Sequence, residues 1–484
     1  MNTNISNQSS QTTSGNIGIR APVFLYVFGI VFAVFFFAFS LMVIVYSPTN
    51  IGELMRHTGV FFAELSVIGP FLFALFGVYV LFYIYGKEYL REKSAFRVVI
   101  YFTAVFAVIL ILTPPFFSSD LYGYTSRASI ANLHDVTQYS ATPAELGYQD
   151  VVAWENGVTP YGPFFTLYST TINKVIGQNV IVNLVVFRLV AIAVLAASIF
   201  LIYKIASQTV PRNKYFVTAL FAWNPFILIE SIHSAHNDVF MVFFILLSIY
   251  LILKSRFIWA AGSLTLGFLV KFSPIILLPI VFLFIIKQSI PVKRKIRDVV
   301  LAILLIVVLV VVFYLPYQNF SDNLGNLGNS LIRPSNLTFP QFIINIGFSF
   351  LDKYTTFEPD IVTLRAGYLA VFLALYIFIL FYKDLTKNSN FIIRYFLALL
   401  SLLFLLGGKF NIWYILWFIP LVLLVDSAKF RHLILFITAY GFLYYAMLSV
   451  FIPNALFCAA VGIYYVIVRK NSNKKSKILL SSNP

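Results

Sequence analysis

The chain has 484 residues, of which 60% are hydrophobic, 18% aromatic and only 11% charged. Soluble domains carry roughly 25% charged residues, so this balance excludes a water-soluble enzyme. Apolar runs of about twenty residues recur from end to end and predict a polytopic helical membrane protein, an all-α transmembrane bundle. The formal charge of +16 is scattered in short clusters between those runs, so no nucleic-acid footprint is expected, and a single cysteine, Cys458, excludes an internal disulfide or a cysteine metal cluster.

In chain order, residues 1–21 are polar and read as a disordered cytoplasmic tail. Spans are predicted near 22–46, 60–85, 97–117, 180–203, 214–232, 238–253, 257–270, 272–287, 298–316, 361–382, 392–408, 411–425, 430–449 and 451–468. The first is too long for a signal-peptide core and lacks a small-residue cleavage site, so it is read as retained. The pair at 257–287 is short for a hydrocarbon layer of ~30 Å and breaks around "KFSP". The count is therefore fourteen, or twelve if that hairpin is re-entrant. Together 22–468 form one transmembrane domain, and 469–484 a basic cytoplasmic tail.

Lysine and arginine set the orientation. With the N-terminus in the cytoplasm, every predicted inside segment is basic, and 25 of the 34 cationic residues lie there. The chain is then a multi-pass plasma-membrane protein with both termini cytoplasmic. Two large loops, 118–179 and 317–360, fall outside and are expected to carry short amphipathic helices.

The polar residues that interrupt the apolar pattern fall on that outer side. The first loop opens "SSDLYGYTSRA", where a helix would bring Asp120, Tyr122, Tyr124 and Arg127 into one patch. Asp120 could equally cap that helix or pair with Arg127. The loop closes "TPYGPFFTLYS", where Pro160, Tyr161, Gly162 and Pro163 make a rigid turn into an aromatic helix. The turn "SIHSAHNDVFM" crowds Glu230, His233, His236, Asn237 and Asp238 together; a substrate pocket, a polar turn capped by Asp238 and a metal site all suit it. Lys271 and Arg188 interrupt apolar runs, where a cation snorkels or meets an anion such as a lipid phosphate. Asn411, Trp413 and Tyr414 suit either an interfacial aromatic belt or a sugar-binding surface.

Read together, "DLYGY", "TPYGPFFTLYS", "WNPFILIESIHSAHNDVFM", "GFLVKFSPIILLP" and "IWYILWFIP" resemble the GT-C superfamily of integral-membrane glycosyltransferases, in particular the polyprenol-phosphate-mannose-dependent α-1,6-mannosyltransferases. The resemblance covers roughly residues 115–420. It implies inverting transfer of a sugar, most simply mannose, from a polyprenyl-phosphate donor to a glycan or glycolipid acceptor at the outer face. No cofactor beyond the lipid-linked donor and no metal are expected. By position Asp120 would be the general base, with Asp238 the other candidate. Lys271, Arg188 and His236 would attend the donor phosphate, and Tyr122, Tyr124, Arg127, Tyr161, Asn237, Asp238, Asn411, Trp413 and Tyr414 the sugars. Two departures stand out: Ile412 sits where the family commonly has proline, and Ser119 where some branches carry a second acid. A flippase or transporter of lipid-linked saccharides, or a saccharide polymerase, is the alternative. The absence of internal repeats speaks against the first, and the paucity of arginine in the second loop against the last.

Overall fold

The computed structural model describes residues 21–47, 62–148, 155–317, 361–382, 390–405 and 411–447. Every regular element among them is helical, as the run lengths predict. Among the described residues five helices are long and apolar enough to cross a bilayer: α1 (Ala21–Tyr46), α2 (Phe62–Tyr89), α3 (Lys93–Ile111), α6 (Val180–Thr209) and α12 (Val292–Tyr314). Between α3 and α6 the first large loop folds into two short helices, α4 (Asp120–Leu133) and α5 (Pro163–Ile176).

Several of the other predicted spans are shorter or broken, and the breaks have chemical causes. The span expected at 214–232 is α7 (Lys214–Ala222) followed, across a 49° bend, by α8 (Pro225–Leu228) and a π turn, Ile229–His233. Pro225 cannot continue α7, and the Asn224 side chain restarts the helix by accepting from the amides of Phe226 and Ile227. After α9 (Asp238–Leu253), the "KFSP" hairpin is broken as its length suggests. α10 (Phe257–Val270) ends at an extended Lys271, and a 3-10 turn, Ser273–Leu277, leads into α11 (Leu278–Lys287). Beyond α13 (Ile361–Phe381) and α14 (Asn390–Leu405), the helix expected at 411–425 is instead a 3-10 segment, Ile412–Trp417, and α15 (Ile419–Leu423). Two short pieces follow, α16 (Ala428–Arg431) and α17 (Leu433–Met447). The second large loop from residue 318, the span at 451–468 and both tails lie outside the described residues.

In lipid, helices associate through close packing, since the solvent is as apolar as they are. Trp223, at the end of α7, is the hub of the first three spans. It is fully buried among Phe32, Phe82, Phe102 and Phe106 and donates to the Val99 carbonyl at 3.0 Å. At Gly29 a Cβ would stand 2.3 Å from the Phe102 ring, so glycine sets how closely α1 and α3 cross. α12, by contrast, leaves Val300, Leu304, Val308 and Val311 exposed, a face suited to lipid.

The helices alternate in direction, and their ends differ in character. Lys93, Arg97, Lys204, Lys214, Lys254, Arg256, Lys287 and Lys293 mark one end of the bundle. At the other end α3, the π turn and α10 finish, α6 and α9 begin, and α4 and α5 lie across them.

Candidate functional site

The site is assembled at this second, less basic end. Asp120 is the first residue of α4, where the helix N-terminus favours an acid. Ser119 is the cap residue, so Asp120 is not itself the cap, and its side chain is 16% exposed. Tyr124, one turn on, lies with its hydroxyl 3.4 Å from Asp120 Oδ2. The predicted helix geometry is thus what the chain adopts. Arg127 turns elsewhere, donating to the Gly157 carbonyl at 2.6 Å and tying α4 to the far limb of its loop.

The "PYGP" turn seats α5 against the end of α10. The Gly162 amide donates to the Val270 carbonyl at 3.0 Å, and a Cβ at Gly162 would fall 2.1 Å from the Leu269 carbonyl oxygen. Only glycine fits that approach. The turn also delivers Tyr161, whose ring stands edge-on to Tyr124 at 5.1 Å, with Phe165 closing the cluster. Burial raises the phenols of Tyr124 and Tyr161 well above the usual tyrosine range, aided by neighbouring charge that includes Asp120. Both therefore act as neutral hydroxyls. Tyr122 is buried on the same helix.

The π turn decides what "IESIHSAHND" does. In a regular helix Glu230 and His233 would share a face. The wider turn and the loop after it separate them. His233 accepts from the Phe116 amide at 3.2 Å and stands edge-on to Phe39 and Phe117. His236 turns back instead: its amide donates to the Glu230 carbonyl at 3.0 Å, helped by Ala235 in the left-handed region at φ 47°. Its Nε2 lies 3.2 Å from Glu230 Oε2 and its Nδ1 3.3 Å from Asp120 Oδ2. Both are ion-pair distances without linear hydrogen-bond alignment. Burial lowers the affinity of this imidazole for a proton, but the two carboxylates outweigh it and raise the pKa to about 9. The ring is stacked on Trp413, centroids 4.0 Å apart. Among the described residues no three His, Cys, Asp or Glu side chains converge as a metal set, and the Glu230–His233–His236 stripe does not form.

Asp238 and Lys271 find each other across 33 positions. Lys271 Nζ is 2.9 and 3.0 Å from the two Asp238 oxygens, and Trp417 Nε1 donates to Oδ1 at 2.5 Å. Asp238 is therefore a fully buried, fully engaged carboxylate rather than a helix cap. The ammonium also lies 4.2 Å from the Tyr414 ring centroid and 5.5 Å from that of Trp417. Burial lowers its pKa, and Asp238 with Tyr414 more than restores it, so it stays charged. Asn411 donates to the Tyr414 hydroxyl at 3.2 Å. Arg188 is spent on the scaffold, binding the carbonyls of Ile111 at 3.0 Å and His233 at 2.6 Å. Two buried polar groups beside the cluster, Asn237 Nδ2 and Ser234 Oγ, have no hydrogen-bond partner among the described residues.

Three contributors escaped the sequence reading as parts of one site. Glu230 entered among the crowded polar groups of its turn, with no role of its own, and Trp417 only within the aromatic segment "IWYILWFIP". Tyr445, in α17, donates to Glu230 Oε1 at 2.6 Å and carries no sequence signal, because a tyrosine in an apolar span is common.

Comparison with known proteins bears on what this cluster does. Residues 26–287 match the family model described as alpha-(1->6)-mannopyranosyltransferase, N-terminal domain. Alpha-(1->6)-mannopyranosyltransferase A of Corynebacterium glutamicum is 28% identical over 177 residues, 36% of each chain. The protein of the same name from Mycobacterium tuberculosis is 28% identical over 184 residues, 37% of this chain and 35% of its own. The matches thus span about a third of the length of these relatives. No solved structure matches the chain.

Proposed function

Because this chain belongs to the alpha-(1->6)-mannopyranosyltransferase family, we propose that it transfers mannose from a polyprenyl-phosphate donor to a glycan or glycolipid hydroxyl at the outer face of the membrane. The observation that carries the mechanism is the contrast among three acids. Asp238 is held by Lys271 and Trp417, and Glu230 by Tyr445 and His236; both are fully buried. Asp120 alone of the three is partly open, and it stands at the rim beside Tyr124 and His236.

Asp120 then acts as general base. It takes the proton of the acceptor hydroxyl as that oxygen bonds to the anomeric carbon, while the bond from that carbon to the phosphate oxygen breaks and its electron pair leaves with the lipid phosphate. Attack opposite the leaving group inverts the configuration. Lys271 is the cation placed for the departing phosphate, because its charge is fixed and its side chain is 15% exposed. His236 adds a second positive centre. Arg188, turned onto carbonyls, supports the scaffold. The aromatic rings of Tyr161, Trp413 and Tyr414 and the open amide of Asn237 suit sugar faces and hydroxyls. The reaction calls on no metal and no cofactor beyond the lipid-linked donor.

Purified protein incubated with polyprenyl-phosphate mannose and acceptor tests this by release of polyprenyl phosphate. Asp120→Asn is expected to lower turnover by at least ~100-fold, the scale of a lost general base, with donor binding kept. Turnover within a few-fold of wild type would remove Asp120 from that role.

A further inference from the structure

The mechanism gives Asp120 a task and leaves Glu230 without one, although burying a second acid beside the site is costly. Glu230 lies in the π turn with its two oxygens aimed apart. Oε1 receives the Tyr445 hydroxyl at 2.6 Å, and Oε2 lies 3.2 Å from His236 Nε2. The other ring nitrogen is 3.3 Å from Asp120 Oδ2. One imidazole is thus held edge-on between two carboxylates, with a face against Trp413. The other charged groups nearby are engaged elsewhere: Asp238 with Lys271, and Arg188 with the Ile111 and His233 carbonyls.

We propose that Glu230 is a positioning residue for the transfer: it is the constant counter-charge of a cationic His236, so that Asp120 can change protonation state without leaving that cation unpaired. The proposal rests on Asp120 as base. When the acceptor proton moves to Asp120, the carboxylate becomes a neutral acid and no longer balances the imidazolium. A fully buried cation with no counter-charge is among the more expensive arrangements in a protein. With Glu230 in place the His236–Glu230 ion pair persists through the step, with Nδ1 held 3.3 Å from Asp120 Oδ2. Asp120 returns the proton to water through its exposed edge. The division explains why one acid is open and the other sealed behind Tyr445.

The raised pKa of His236, about 9, fixes the sign of the pH dependence. The ring is charged below that value, so turnover holds through neutral pH and falls as pH rises through about 9. Glu230→Gln keeps the shape and the bond from Tyr445 but removes the charge. It is expected to lower kcat about tenfold, leave the donor KM within about twofold, and move the basic limb of the kcat profile down by about one pH unit or more, the scale of losing one close charge partner. Glu230→Asp is expected to return the limb toward its wild-type position. A wild-type limb and turnover in Glu230→Gln overturns the proposal. If Glu230→Gln does not accumulate as folded protein, Glu230→Asp carries the test, because its longer gap to His236 weakens the pair: a smaller downward limb shift supports the proposal, and an unmoved limb overturns it. Asp120→Asn assayed alongside separates the two readings. Retained transfer there defeats the base assignment, whereas its loss with an unmoved Glu230→Gln profile defeats only the role of Glu230.

Discussion

Lys271 shows most clearly how a residue that interrupts an apolar run is put to use. From spacing it could snorkel to the interface or meet a phosphate, because a lysine in hydrocarbon needs an anion or water. The anion it meets is Asp238, and nothing in sequence spacing links positions 238 and 271. The pairing becomes visible only when α9 and α10 pack side by side. Breaking one half of a buried pair leaves the other charge stranded, at a cost of about 3–5 kcal/mol. Lys271→Met is therefore expected to lower thermal stability in detergent by that order, and Lys271→Met with Asp238→Asn to recover most of it. Turnover should not recover in the double variant, because the cation facing the donor is still missing. Parallel unfolding scans and initial rates check this, and a double variant with wild-type rates would make the pair purely structural. The remaining site residues were legible by type rather than by contact. Acids, histidines and aromatics at one membrane face pointed to saccharide chemistry, but which acid is open and which are sealed depends on partners far along the chain.

Among the elements, the π turn at Ile229–His233 and the "PYGP" corner do the positioning. Neither the extra residue in the turn nor the left-handed Ala235 has a sequence signature, which is why Glu230, His233 and His236 looked like one stripe when read at regular helical spacing. The corner was legible, since two prolines around a glycine mark a rigid turn; the reason for the glycine was not. Its Cα lies where the end of α10 leaves no room for a Cβ. Gly162→Ala is expected to push α5 away from Leu269 and Val270, taking Tyr161 and Phe165 with it. Because Lys271 follows directly on that strand of contact, the variant should raise the apparent donor KM several-fold, with a loss of stability of about 1–3 kcal/mol, the range for overpacking. An unchanged donor KM would mean that α5 does not shape the donor side.

For the molecule as a whole, the apolar run lengths foretold the helical bundle, whereas the number of full crossings depended on where prolines and polar residues break it. The family match ends at residue 287, yet the site does not. Trp413 covers His236, Tyr414 and Trp417 cover Lys271 and Asp238, and Tyr445 seals Glu230. Residues 413–445 thus cover a cluster whose acids and cations come from the matched region. This arrangement ties function to membrane orientation, since all these groups gather at the end of the bundle opposite the lysine- and arginine-rich one. The proposed function takes the basic end as cytoplasmic and Asp120 as facing out. In a Cys458→Ser background, Leu133→Cys, exposed at the C-terminus of α4, is expected to react with a membrane-impermeant maleimide on intact cells. Lys254→Cys, exposed at the end of α9, should react only after permeabilisation. The reverse pattern would put the acids in the cytosol, where a water-soluble nucleotide donor could reach them and the case for a lipid carrier would lose its geometric basis.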